Sequence, residues 1–289
     1  MTKIAVLGLG AMGRSIALAL SRNGHSLTVW NRTHAKAQAL ASDRIVASPT
    51  VARTIAPAEL VIVCVLDQTA AGQIAGDFPD MSGKVVVNLT NGTPDEAIGF
   101  ARRLDRKNAR LLSGGIMAVP PIMGTSDALI LYSGDQHAYE DHLPTLMALG
   151  SAQFMGDDLR LAPLNDLALL AGMYGVFSGA AHAFAMFRAS GRPAGELAPL
   201  LKQWLGAMIE TLDEMAAQVD SGDHVTGVVS NLAMQAIALN NIVAASRDLG
   251  VGPALMVPMQ QLVAARVDKG HGREDISGVV VELLDAPAV

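Results

Sequence analysis

Asp166 stands near the start of NDLALLAGMYG, residues 165–175, and no other formal charge follows it until Arg188. A lone carboxylate entering a long apolar run has two uses. It can cap the amino terminus of a helix, where Asp is a favoured residue, although the capping-box position three residues on holds Leu169 and not Glu or Gln. It can also be the only charged group of a buried reaction site, holding or giving a proton. Tyr174 bears on the choice. Eight residues of helix are about 12 Å of rise and about 80° of rotation. The acid and the phenol can therefore flank one side of a cleft as long as a small substrate. A Tyr taken alone is more simply a core residue with a satisfied hydroxyl.

A second group of residues suits a nucleotide. GLGAMG places Gly8, Gly10 and Gly13 in the GxGxxG spacing, after one apolar run and before a helix-like one. The first Gly permits a tight turn, the second lets a pyrophosphate approach the backbone, and the third lets helix and strand pack closely. Met12 lies within the same turn. An acid that would hold free ribose hydroxyls is missing about 20 residues on, where Asn31, Arg32, Thr33 and Lys36 stand instead. Arg32 offers a planar donor fork and Lys36 a second positive charge, so a 2′-phosphate and hence NADP(H) are expected. Two further polar or glycine-rich passages, LTNGTP (89–94, with Asn91) and SGGIMAVPPIMGT (113–125, with Met117), are expected to border the nicotinamide.

The elements that must position these groups change character along the chain. KIAVLG (3–8), SLTVWN (26–31), LVIVCVL (60–66), KVVVNLT (84–90) and ALILYSG (128–134) read as buried strands of the parallel kind, with helical stretches such as 12–23 and 34–41 between them. That alternation predicts an α/β domain with a doubly wound parallel sheet. After about residue 160 the strand signals stop. Leu197, Leu200, Leu201, Trp204, Leu205, Met208 and Leu212 fall at helical spacing within 194–218, as do Leu232, Ala236, Leu239 and Val243 within 226–247. Pro253 is expected to open a third helix, and DKGHGRED (268–275) a loop before a last one. The boundaries expected are 1–160 for a nucleotide-binding domain, 161–190 for a long interdomain helix, and 191–289 for a helical domain.

Bulk composition narrows the partners. The 289 residues are 51% hydrophobic and 17% charged, with a net charge of −6, which leaves no basic footprint for nucleic acid. One cysteine, Cys64, excludes a disulfide framework and a zinc cluster, and reads as a small core residue. No metal site is expected. The run 167–187 is long enough to span a bilayer. His182, Tyr174, Ser178 and its small residues suit enclosure by protein instead, and no secretory signal pattern precedes the first strand. A cytoplasmic protein is expected.

The whole layout resembles the 6-phosphogluconate and β-hydroxyacid dehydrogenase superfamily, with an N-terminal Rossmann domain, a long connecting helix and a helical C-terminal domain; SGG at 113–115 and the C-terminal GHG share in it. The hydroxyacid enzymes carry a catalytic Lys near the start of the connecting helix. This chain has Asp166 there and no Lys between Lys107 and Lys202. The exchange has chemical content. Ketone reduction builds negative charge on oxygen and is opposed by a carboxylate, whereas C=N reduction works on an iminium cation that a carboxylate stabilises. LTNGTP, IMAVPPIMGTSDALILYSG and NDLALLAGMYG resemble passages of the imine reductases, and of the reductive aminases within them. The resemblance implies NADPH, an imine or a ketone plus an amine as substrate, and an intertwined homodimer. It also implies that Asn91, Asp166 and Tyr174 act in catalysis and that Trp204, Met234 and Gln235 contact substrate. A hydroxyacid dehydrogenase with a different acid and a non-catalytic NADPH-binding sensor are the alternatives.

Overall fold

The computed structural model describes residues 2–285. It forms two compact units that divide between Ala171 and Gly172. In the first, β1 (Lys3–Leu7) leads to α1 (Ala11–Arg22), β2 (Ser26–Trp30) to α2 (His34–Gln38), and β3 (Ile45–Ala47) to α3 (Val51–Ile55). The alternation continues through β4 (Leu60–Val63), α4 (Gln68–Gly76), β5 (Val85–Asn88) and α5 (Pro94–Leu104). Next come β6 (Arg110–Met117), β7 (Leu129–Gly134), α6 (Gln136–Met147) and β8 (Ser151–Phe154).

The eight strands lie in the order β3-β2-β1-β4-β5-β6-β7-β8. All neighbours are parallel except β6 and β7, which pair antiparallel from Leu112↔Gly134 to Met117↔Leu129. The sheet is thus mostly parallel, and the expectation that 128–134 is one more parallel strand is corrected. Only 11 residues separate Met117 from Leu129, too few for the helical crossover that a parallel return needs. The strand content is also larger than the five runs suggested. β3 and β8 are short, and β6 runs through Ser113, Gly114 and Gly115, which had read as loop.

Alternate residues of each strand feed two cores. Ile4, Val6, Ile62 and Val87 pack on one face with Ile16 and Leu20 of α1, while Ala5, Leu7, Val61, Val63 and Val86 pack on the other with Ile55, Phe78 and Phe100. Burial on both faces is why these strands carry near-continuous apolar runs.

Strand order reverses at β1 and β4, which places a crevice outside their carboxyl ends.

A single helix, α7 (Leu161–Ala189), runs across the division between the units. It begins five residues before Asp166. Its first turn is anchored to the sheet by the Ala162 N–H, which donates to Ser133 Oγ of β7 at 3.0 Å. Pro163 sits where a missing N–H is tolerated, because first-turn N–H groups have no partner within the helix. By length and composition this helix could cross a membrane, and only 6% of its most apolar 18-residue window is buried, so the enclosure by protein expected for it is not supplied within the described chain.

The second unit is helical. α8 (Ala194–Ile209) and α9 (Leu212–Ser221) divide the stretch read as one helix, at Glu210–Thr211. α10 (Leu232–Asp248) starts later than the pattern at 226–247 implied, with Asn231 capping the Met234 N–H. α11 (Val257–Arg266) begins four residues after Pro253, not at it, and α12 (Val279–Asp285) ends the described chain. Leu232, Val263 and Val279 form its small core. Arg266 beside them donates two bonds of 2.8 Å to Glu274, while Lys269 reaches Glu282. His182 of α7 is buried against Ser246 of α10 at 2.9 Å.

Candidate active site

The glycine turn after β1 opens a cleft of about 820 Å³, lined by Gly8 to Gly13, the end of β2, and the segment from Cys64 into α4. Gly8 has φ +100°, and a Cβ there would overlap the Cys64 carbonyl. A Cβ on Gly13 would overlap the Gly8 carbonyl, so this glycine sets the contact of helix and strand. Gly10 differs: a side chain would meet no protein atom within 4 Å. Open space beside Gly10, and an α1 amino terminus that receives no side-chain cap, fit a bound pyrophosphate.

Asn31 is occupied internally, accepting from the Leu9 N–H at 2.9 Å and donating to the Thr33 carbonyl at 3.2 Å. It ties the end of β2 to the glycine turn. Arg32, Thr33 and Lys36 are exposed along the same cleft. Neither cation forms an ion pair among the described residues, and no carboxylate stands within residues 31–42 after β2. These residues fit the 2′-phosphate of NADPH. Met12 lines the cleft as well, as do Val65, Leu66, Thr69, Ala70 and Gln73, which sequence reading missed. Their signal was available: they follow β4, the strand beside β1 at the reversal point. Cys64 is buried just past β4, and burial pushes its thiol up to about 12.

Asp166 is not a helix cap. It lies in the second turn of α7, 4% exposed, and its partner comes from far along the chain. Asn91 Nδ2 donates to its Oδ2 at 2.7 Å. Among the described residues Oδ1 receives no protein donor, which leaves it free for a ligand. Burial raises the carboxyl above the usual range, and the Asn91 bond lowers it in part. A buried acid that holds its proton more tightly than usual suits proton transfer.

The two glycines of β6 allow this approach. A Cβ on Gly115 would lie 2.6 Å from Asp166 Cβ, and one on Gly114 would lie 2.5 Å from Leu89 Cδ2. One glycine admits the acid of α7, and the other admits the loop that carries Asn91. Glycine within a strand commonly marks such a close approach. Met117, half-buried, ends the same strand.

Asn91 and Asp166 are thus brought together in the first unit. Tyr174 follows Asp166 on α7 but belongs to the helical unit, as do Trp204, Met234 and Gln235. Tyr174, Trp204 and Met234 are exposed there. Trp204, 62% exposed, is therefore not a core residue of its own unit. Gln235 donates to the Ser230 carbonyl at 2.7 Å. Among the described residues no cluster of side chains could hold a metal ion.

Comparison with known proteins agrees with both halves. The NAD binding domain of 6-phosphogluconate dehydrogenase matches residues 3–156, and the NADPH-dependent reductive aminase-like C-terminal domain matches residues 158–285. The chain is 38% identical to an NADPH-dependent reductive aminase of Aspergillus oryzae over 285 residues, which cover 96% of this chain and 95% of that protein. A reductive aminase from Aspergillus terreus, solved with NADPH and ethyl levulinate, superimposes with TM-score 0.93 at 43% identity, over 98% of this chain and 99% of that one. An imine reductase from Myxococcus stipitatus in complex with NADP+ does so with TM-score 0.90 at 26% identity, over 98% and 100%.

Proposed function

The chain belongs to the NADPH-dependent reductive aminase family, and from that premise we propose that Asp166 is the acid of an enzyme that reduces imines and joins ketones to amines. The enzyme is an NADPH-dependent oxidoreductase acting on small molecules. Bound NADPH supplies the hydride. The chain's own residues hold the cofactor through the glycine turn, Arg32, Thr33 and Lys36, and they manage the proton.

The observation that carries the reading is a buried Asp166 with one oxygen held by Asn91 and the other without a protein donor. Burial holds its proton more tightly than in a free carboxyl, which suits a group that gives a proton and takes it back. An imine nitrogen takes that proton from Oδ1, which leaves an iminium beside a carboxylate. Hydride then adds to carbon, and the neutral amine forms. In the amination direction the amine adds to the ketone carbon and water must leave the carbinolamine. Asp166 returns a proton to the departing hydroxyl and receives one from nitrogen. Asn91 keeps the carboxyl oriented through both steps. Tyr174 positions the substrate nitrogen or the Asp166 carboxylate, while Trp204, Met234, Gln235 and Met117 contact substrate. These roles are supported by residue type and by placement on α7, α8, α10 and β6.

The domains run 1–160, 161–190 and 191–289, and a second copy of the chain covers the apolar helix between the outer two. The exposure of Leu169, Met173, Val176 and Phe177 along α7 supports an intertwined homodimer. The enzyme is taken to act in the cytoplasm on small molecules, without nucleic acid or a membrane as partner. The hydroxyacid dehydrogenase alternative is disfavoured because a carboxylate at this position opposes the charge that ketone reduction develops.

The test follows NADPH absorbance with a small ketone alone and then with excess amine at the same pH. Consumption only when amine is present is expected. Consumption by the ketone alone would return the protein to carbonyl chemistry.

A further inference from the structure

We propose that Gln68 is a positioning residue for the reaction, fixing the 89–94 loop so that Asn91 meets Asp166. The proposal rests on Asp166 being the reacting acid.

The loop is held by a closed run of amide bonds. The Thr90 N–H donates to Asn88 Oδ1 at 3.1 Å. That bond turns Asn88 Nδ2 outward, where it donates to Gln68 Oε1 at 2.9 Å. Gln68 Nε2 must then face the other way, and it donates to the Thr90 carbonyl at 2.6 Å. Every amide orientation follows from the one backbone N–H. Thr90 is also tied to the end of β4, where its Oγ1 accepts from the Val65 N–H at 3.2 Å. Asn91, the next residue, inherits this fixed backbone.

Gly92 is a second, independent sign. A Cβ there would overlap Gln68 Cγ and come 3.1 Å from Gln68 Nε2. The glycine in LTNGTP therefore makes room for the Gln68 side chain, which crosses from the first residue of α4 to the loop. Glu96, which accepts from the Thr93 N–H at 2.8 Å, closes the far end of the loop. Neither Gln68 nor Asn88 touches Asp166. They act through Asn91, which donates to Asp166 while β6 presents Gly115 to the same acid; among the described residues burial raises its pKa and the Asn91 bond lowers it.

Gln68→Met keeps length and removes both bonds at a half-buried position. Its kcat/KM for a preformed cyclic imine should fall about tenfold, the scale of one lost positioning hydrogen bond, with the KM for NADPH unchanged. In an Asn91→Ala background the same substitution should cost nothing further. Gln68→Glu, which has no donor for the Thr90 carbonyl, should reproduce the loss. A permanently charged N-methyl cyclic iminium needs Asp166 as carboxylate, so the acid limb of its pH profile follows that titration. Weakening the Asn91 bond raises the Asp166 pKa, and the limb should move to higher pH in Gln68→Met. The carboxyl ¹³C shift of Asp166, titrated by NMR without substrate, should move the same way. Additive losses in the double variant, or an unmoved Asp166 titration, would overturn the proposal. An inert wild-type enzyme with a normal NMR response to Gln68→Met would instead defeat the imine-reducing reading and leave the positioning role standing.

Discussion

Burying a carboxylate costs free energy unless the charge is compensated, and Asp166 has a single amide for compensation. Its folded pKa lies above its unfolded value, so the folded state holds the proton more tightly. Stability is therefore lost as pH rises from the unfolded pKa through the folded one, and the charged form is the strained one. Asp166→Asn keeps the Asn91 bond and removes the charge. Its Tm should exceed that of wild type at neutral pH, by about 2–4 °C for each ~1 kcal/mol relieved, and the difference should vanish in acid, where wild type is also neutral. Calorimetry at two pH values checks this. Arg32 belongs to the cofactor end of the proposed site. Arg32→Ala should raise the KM for NADPH about tenfold and barely change that for NADH, because only NADPH carries the 2′-phosphate.

At the scale of elements, the acid depends on how closely α7 approaches β6. Gly115→Ala would force Asp166 away, and a displacement of about 1 Å is enough to lower turnover about 10²-fold. Cofactor affinity, set at the β1–β4 crevice, should remain, and kcat and NADPH binding measured on one preparation separate the two. The glycine turn was legible in the sequence because strand, turn and helix follow in order around Gly8, Gly10 and Gly13. The chemical oddity of Asp166 was legible as a lone acid in a long apolar run, at the place where the resemblance to hydroxyacid dehydrogenases implied a Lys. The long helix was expected over 161–190 and spans Leu161–Ala189; the bond that anchors its first turn to Ser133 was not legible, because it is a tertiary contact. β6 was hidden by Gly114 and Gly115, whose small size serves the close approach of Leu89 and Asp166 and weakens the strand signal. Gln68 carried no local sign, since its partners Asn88 and Thr90 lie 20 and 22 residues on.

For the whole molecule, α7 leaves Leu169, Met173, Val176 and Phe177 exposed, a stripe that water does not favour. Light scattering should give twice the chain mass of 30.1 kDa, and Phe177→Glu should weaken that association. A stable, active monomer would remove the homodimer. The helical unit's core is small, so in the proposed homodimer much of its stability should come from the surface that the second copy covers.

The most direct measurement is single-turnover hydride transfer from saturating NADPH to a neutral cyclic imine and to its N-methyl iminium, in wild type and Asp166→Asn. Loss of the proton donor should slow the neutral imine by about 10²-fold or more. The iminium, which needs no proton, should be slowed less. Wild-type transfer to the neutral imine by Asp166→Asn would contradict the role of Asp166.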